Sequence, residues 1–270
     1  MKKEYVLLAC LLPLYVASAF VCPAGKVTGT CPAPPAVRTA PSDGFAVVEL
    51  FTSEGCSSCP PADQLLAEID TEYKSQVYVL SFHVDYWDRL GWRDVFSNAN
   101  YTHRQEEYAH LLSVREIYTP QAVVNGKWQM LGSSRDLIRG AIDQELKGTA
   151  NSGLQLQAIS KDSKKVSVHF TSNYSAPATL QAALVQLQAS SNVLRGENKG
   201  KQLQHVNIVR YFESIYLDNG TTKGSIQLKI PSGLQAKDCK VIVFLQSPTD
   251  GHIIGVGEAR VGEFPAGGGI

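Results

Sequence analysis

Residues 45–69, FAVVELFTSEGCSSCPPADQLLAEI, decide the fold. They open on Phe45-Ala46-Val47-Val48-Glu49-Leu50-Phe51, an apolar, β-branched run that reads as a buried strand. A polar turn, Thr52-Ser53-Glu54-Gly55, then leads into Cys56-Ser57-Ser58-Cys59. Beyond it Ala62, Leu65, Leu66, Ile69 and Tyr73 recur at the three- and four-residue spacing of one helical face. Pro60 and Pro61 suit a first helical turn, where N–H groups have no intrahelical partner. Pro60 also biases Cys59 away from helical angles. The two cysteines therefore stand at a helix N-terminus, where the macrodipole and free N–H groups favour a thiolate. A CxxC can instead be a static disulfide or half of a zinc site. The chain has no second CxxC and no His pair at finger spacing, which sets zinc aside, and the strand–CxxC–helix setting favours redox chemistry over a staple.

Lys and Arg number 25 among 270 residues, as do Asp and Glu, so charge gives no case for binding nucleic acid or an anionic membrane. The chain opens as an export signal: Lys2 and Lys3, the apolar run Tyr5 to Val16, then Ala17-Ser18-Ala19 as a cleavage site. The expected mature protein starts at Phe20 and is periplasmic or secreted, with no transmembrane helix, since the apolar run is too short to span. A lipid anchor at Cys22 is the tethered alternative, to which Ala19-Phe20-Val21 is a poor fit. Export implies a compartment where disulfides persist. Loss of Cys10 with the signal leaves Cys22, Cys31, Cys56, Cys59 and Cys239. Two pairings stay open: Cys22 with Cys31, leaving Cys239 as a free buried thiol, or Cys31 with Cys239 if Cys22 carries lipid.

Four segments follow from texture: a signal over 1–19, a Pro/Gly-rich linker over 20–44, an α/β domain over 45–150 and an all-β domain over 151–265. In the α/β segment, residues 77–84, VYVLSFHV, form a second buried strand, and a strand–helix–strand unit makes a parallel pair. His83-Val84-Asp85-Tyr86-Trp87-Asp88 leaves the carboxyl end of that strand, where binding loops of open α/β sheets gather. Next come a polar, aromatic-rich insertion with a helix capped near Ser97 or Asn98, and a hairpin turning at Asn125-Gly126. A last helix follows, with Leu137, Ile138, Ala141, Ile142 and Leu146 on one face. From Asn151 alternating segments separated by turn signals read as a small sandwich.

CSSCPPAD, HVDYWD, Leu90-Gly91-Trp92 and YTPQAVVNG together resemble a group of exported bacterial thioredoxin-like proteins of unknown function. The resemblance covers residues 45–147 and extends through GENKG (196–200) and HVNIVR (205–210). It implies a thioredoxin-like fold with Cys56 as the attacking thiol, Cys59 as the resolving one and Pro120 as a cis-proline that aligns Thr119 with an extended substrate. The chain departs from thioredoxins in lacking Trp before the first cysteine and in carrying Ser-Ser between the two.

Other residues have a functional and a plainer reading. His83 with Asp85 could be a proton shuttle, or a soft-metal site with the cysteines, or His83 could be a packed core histidine. Trp87 and Trp92 either line a substrate groove or anchor the insertion. Glu49, a charge in an apolar strand, either faces a basic residue or accepts a thiol proton. Arg104, Gln105 and Glu106 read as a solvated helix face, and Asn198, Asn207 and Arg210 as an inter-strand network. The expected function is thiol–disulfide exchange with disulfide or dithiol substrate proteins, needing no resident cofactor or metal. The rival is an envelope metal-binding or protein-interaction module on the same scaffold.

Overall fold

The computed structural model describes residues 44–149, 153–162 and 164–263. The expectations for the export signal, the linker, Cys22 and Cys31 lie outside them. The strand read from residues 45–51 is β1 (Ala46–Thr52), buried along its whole length. Its neighbour β2 (Val77–His83) runs parallel, because helix α1 (Pro60–Tyr73) carries the chain back across the sheet. Helix α1 begins at Pro60 with Cys59 as its N-cap at φ −77°, ψ −37°. The pre-proline bias is thus overridden at Cys59, whose carbonyl accepts from the N–H of Ala62 and Asp63. Leu65, Leu66 and Ile69 are buried beneath α1, each contributing about 1.5–3 kcal/mol by leaving water.

Helix α2 (Ala99–Leu111) is capped by Asn98, whose side chain accepts from the Asn100 N–H. β3 (Gln121–Val124) and β4 (Trp128–Leu131) form an antiparallel hairpin, and β3 pairs with β1 on the side away from β2. Its turn residues Asn125 and Gly126 both have positive φ (49° and 66°), the geometry that makes Asn-Gly a hairpin signal. Asn125 also ties the hairpin down, accepting from Val47 N–H at 2.6 Å. Helix α3 (Arg135–Leu146) follows, burying Ile138, Ala141 and Ile142.

The second half supplies β5 (Gln155–Asp162), β6 (Lys165–Thr171), β7 (Ala178–Asn192), β8 (Gln202–Leu217), β9 (Lys223–Lys229), β10 (Cys239–Gln246), β11 (Ile253–Arg260) and β12 (Gly262–Glu263). Four of these extend the first sheet into one of eight strands, ordered β11-β10-β7-β8-β2-β1-β3-β4, while β12-β5-β6-β9 form a second. The seam is β8 against β2, parallel, at Ser81 opposite Ile208. The boundary near residue 151 therefore divides the sequence but not the sheet, and all described residues fall in one compact unit.

Alternation along the strands sorts three cores. Ala46, Val48 and Leu50 face α1 and α3, while Val47 and Phe51 face α2 with Tyr101 and Tyr108. Ala183, Val185, Ile242 and Phe244 from the second half join that α2 core. The opposite faces of β7 and β10 pack on the four-stranded sheet through Leu180, Leu184, Val241, Leu156 and Val168. Among the described residues no helix is long and apolar enough to cross a membrane.

Candidate functional site

Cys56 and Cys59 are both buried, at 1 % and 0 % exposure, and both are reduced. Cys56 Sγ lies 3.2 Å from Ser58 Oγ and 3.9 Å from the Thr119 carbonyl, the residue before the cis Thr119–Pro120 bond. Contact with the Cys59 thiol is the main force on Cys56 and, with the Ser58 and Thr119 groups, outweighs burial to bring its pKa down to about 6. Burial, then the neighbouring Cys56, then Asp63 push the Cys59 thiol far above its ordinary range. The surroundings of Cys56 thus favour its thiolate and those of Cys59 its thiol.

Beneath this pair sits a group of buried polar side chains. Asp63, four residues beyond Cys59 and on the same face of α1, is 7 % exposed. Burial lifts its pKa to about 7, against the opposing pull of His205 and the Thr52 hydroxyl. His205, on β8, has Nδ1 3.6 Å from Asp63 Oδ2 and Nε2 3.4 Å from Glu54 Oε1. Glu54 accepts from Trp92 Nε1 at 2.7 Å through its other oxygen. The His83 ring stands nearly perpendicular to that of His205, with centroids 4.7 Å apart. His83 Nδ1 meets Asp94 Oδ2 at 2.7 Å, and Asp94 also accepts from the Glu54 N–H. Burial opposes ionisation of Asp94, but His83 and these N–H donors outweigh it and hold its pKa low.

Several expectations are redrawn by these contacts. His83 pairs with Asp94, not Asp85; Asp85 instead accepts from Thr102 Oγ1 at 2.6 Å and tethers α2. Glu49 does not reach the thiols: it is clamped by Arg104 at 2.5 and 2.9 Å and by Tyr108. Arg104 and Gln105 are buried rather than solvated, because α2 lies flat on the sheet and these two positions face it. Gln105 donates to the Tyr118 carbonyl at 2.7 Å and steadies the segment leading to Thr119. Trp87 lies at the dithiol, donating from Nε1 to Thr119 Oγ1 at 2.7 Å, whereas Trp92 covers Glu54.

Asn198 is not part of an inter-strand network; its amide donates to the carbonyls of Glu54 and Cys56 at 2.8 and 2.9 Å. Glu197 beside it accepts from the Ser57 N–H. The loop between β7 and β8 thereby holds the cysteine turn in shape. Asp63, Asp94, His205 and Glu54 were not singled out from the sequence. Asp63 and Glu54 carried a local signal, four residues beyond Cys59 and two before Cys56; Asp94 comes in from the segment after β2, and His205 through the β2–β8 seam. Among the described residues no group of three or more His, Cys, Asp or Glu side chains is arranged to hold a metal ion, Cys56, Cys59 and His83 included.

The class defined so far is a mixed α/β protein with a buried dithiol at a helix N-terminus, backed by carboxylates and imidazoles. The chain belongs to the family described as "Protein of unknown function (DUF1223)", whose model matches residues 47–246. It is similar to a protein of Agrobacterium tumefaciens solved by X-ray crystallography, with 26% identity and a TM-score of 0.64 over 85% of this chain and 100% of that one. A domain of the outer membrane lipoprotein Omp28 of Porphyromonas gingivalis matches at 12% identity and a TM-score of 0.28, over 42% of this chain and 90% of that one. No curated protein matches the chain.

Proposed function

We propose that this protein is an exported thiol–disulfide oxidoreductase whose residues 45–150 are thioredoxin-like, acting in the periplasm or outside the cell on protein disulfides. One observation carries the reading: two free, buried thiols share the start of α1, with Cys56 Sγ 3.9 Å from the Thr119 carbonyl; their surroundings drive the two pKa values apart, Cys56 to about 6 and Cys59 upward. The strand order β2-β1-β3-β4 around α1 and α3, with Thr119 beside Cys56, supports the thioredoxin-like part.

In reduction of a partner, the Cys56 thiolate attacks one sulfur of the partner's disulfide. A new S–S bond joins protein and partner, and the other partner sulfur leaves with the electron pair and takes up a proton. Cys59 then loses its proton to Asp63 and attacks Cys56, breaking the mixed disulfide and expelling the second partner sulfur as thiolate. Two electrons have passed to the partner and Cys56–Cys59 is oxidised. A dithiol reductant restores it, and partner oxidation is the same sequence reversed. Since Cys56 presents almost no surface, the exposed Ser57-Ser58 turn must yield as the partner docks.

Cys59→Ser removes the resolving thiol. Expressed in cells, that variant is expected to accumulate mixed disulfides with partner proteins, visible as reductant-sensitive adducts. Absence of any adduct, with Cys56 intact and reduced, would overturn the proposal.

A further inference from the structure

His205 is at 2 % exposure, yet neither of its ring nitrogens makes a hydrogen bond of good geometry. One nitrogen faces a carboxylate on α1 and the other a carboxylate in the turn before Cys56, at 3.6 and 3.4 Å. The facing oxygen of Glu54 and one oxygen of Asp63 likewise make no hydrogen bond of good geometry. Buried polar atoms are nearly always paired, so unpaired ones clustered around one imidazole call for an explanation. A fixed structural imidazole would be locked by hydrogen bonds at both nitrogens. This one is held in place by aromatic contacts, to His83 at 4.7 Å and Phe96 at 5.7 Å between centroids, with each nitrogen turned toward a carboxylate but hydrogen-bonded to neither.

We infer that His205 is a positioning residue for the dithiol chemistry: set between Asp63 and Glu54, it holds Asp63 ready to accept the Cys59 proton and passes that proton on. The inference rests on the oxidoreductase reading and gives the second half of the chain a task in the site. The step balances: Cys59 S–H gives its proton to Asp63 as the Cys59 sulfur bonds to Cys56, and the proton moves on to His205 Nδ1, while the electrons leave with the partner's sulfur. A base working near neutral pH is suited to this transfer, and the raised pKa of Asp63 fits that range.

Charged and titratable groups around the imidazole come from every element against it. Asp63 and the two cysteines belong to α1 and its approach, and Glu54 to the turn after β1. His83 lies on β2 with Asp94 behind it, and Arg210 on β8 itself stacks over Phe96 at 5.1 Å. Among these, attraction to His205 favours the Asp63 carboxylate, while Asp94 and Cys56 oppose it.

The test uses the full-length reduced protein and the aromatic disulfide dithiobis(nitrobenzoate), followed by rapid mixing from pH 5 to 9. Release of the first chromophoric thiolate reports attack by Cys56, and release of the second reports resolution by Cys59. His205→Phe, which keeps a ring against His83 and Phe96, is expected to leave the first phase within about twofold. The second should slow tenfold or more at pH 7, with its pH midpoint moved upward, since Asp63 loses the imidazole that takes on its proton and whose attraction lowers its pKa. His205→Gln is expected to show the same pattern and serves if the Phe variant does not fold. A second phase of unchanged rate and midpoint, or equal slowing of both phases in the folded variants, overturns the inference. Absence of the first phase in the unmutated protein would instead strike down the oxidoreductase reading itself.

Discussion

At Cys56 the fold acts through its partner thiol, so the acidity of one sulfur depends on the presence of the other. The thiolate ultraviolet absorbance of the reduced protein should appear with a midpoint near pH 6, and Cys59→Ala should raise that midpoint by more than one pH unit, toward the ordinary thiol range near 8.5. An unchanged midpoint would show that the thiol contact does not set the acidity. Asp63 works in the opposite sense. Its folded pKa, about 7, lies above the carboxyl range of an unfolded chain. Between about pH 4 and 7 the folded state therefore holds a proton that the unfolded state has released, and stability falls as pH rises through that window. Asp63→Asn abolishes this loss. Denaturant unfolding at pH 8 should find the reduced variant more stable by up to about 4 kcal/mol, with little difference at pH 4. Equal stability at both values would mean that the carboxyl is not perturbed. The placement of the CxxC at the start of α1 was legible in the sequence because its signals, the two prolines and the periodic face beyond them, are local. His205 was not, because an isolated histidine in a strand pattern has no feature that names its neighbours.

Among the elements, α2 is where sequence reading went furthest astray. Its polar positions suggested solvent, yet Arg104 inserts between Glu49, Tyr108 and Gln246 and its guanidinium lies over the rings of Tyr108, Phe212 and Phe244. Glu49 was the visible half of that pair, an acid in an apolar strand; a buried arginine cannot be told from an exposed one by helical spacing alone. Removing one partner strands the other charge, so Glu49→Leu should cost about 3–5 kcal/mol in unfolding free energy. Glu49→Leu with Arg104→Met should recover most of that loss. Neither change should move the Cys56 midpoint by more than a few tenths of a pH unit, because this network lies on the α2 face of β1 while the dithiol lies at its α1 end. A large movement would show that Glu49 does act on the thiols.

Across the whole molecule, the change from α/β to all-β texture near residue 151 was plain in the sequence, while the continuity of the sheet was not. The β2–β8 pairing joins segments far apart in the chain and rests on one backbone register, Ser81 opposite Ile208. Consequently a fragment ending at residue 149 would expose Phe82, Tyr101 and the β2 edge, which Phe212, Val209 and β8 cover in the intact chain. It would also lose His205 and Asn198 from the dithiol. Such a fragment should be aggregated or lack a cooperative thermal transition by circular dichroism; a soluble fragment with sharp unfolding would restore the picture of two independent domains. The most direct test of the central claim is the reduction potential of the Cys56–Cys59 pair, measured by equilibration in thiol buffers with mass readout. Thiol–disulfide exchange predicts a value between about −270 and −120 mV. A value well below about −300 mV would mark a structural disulfide and contradict the account.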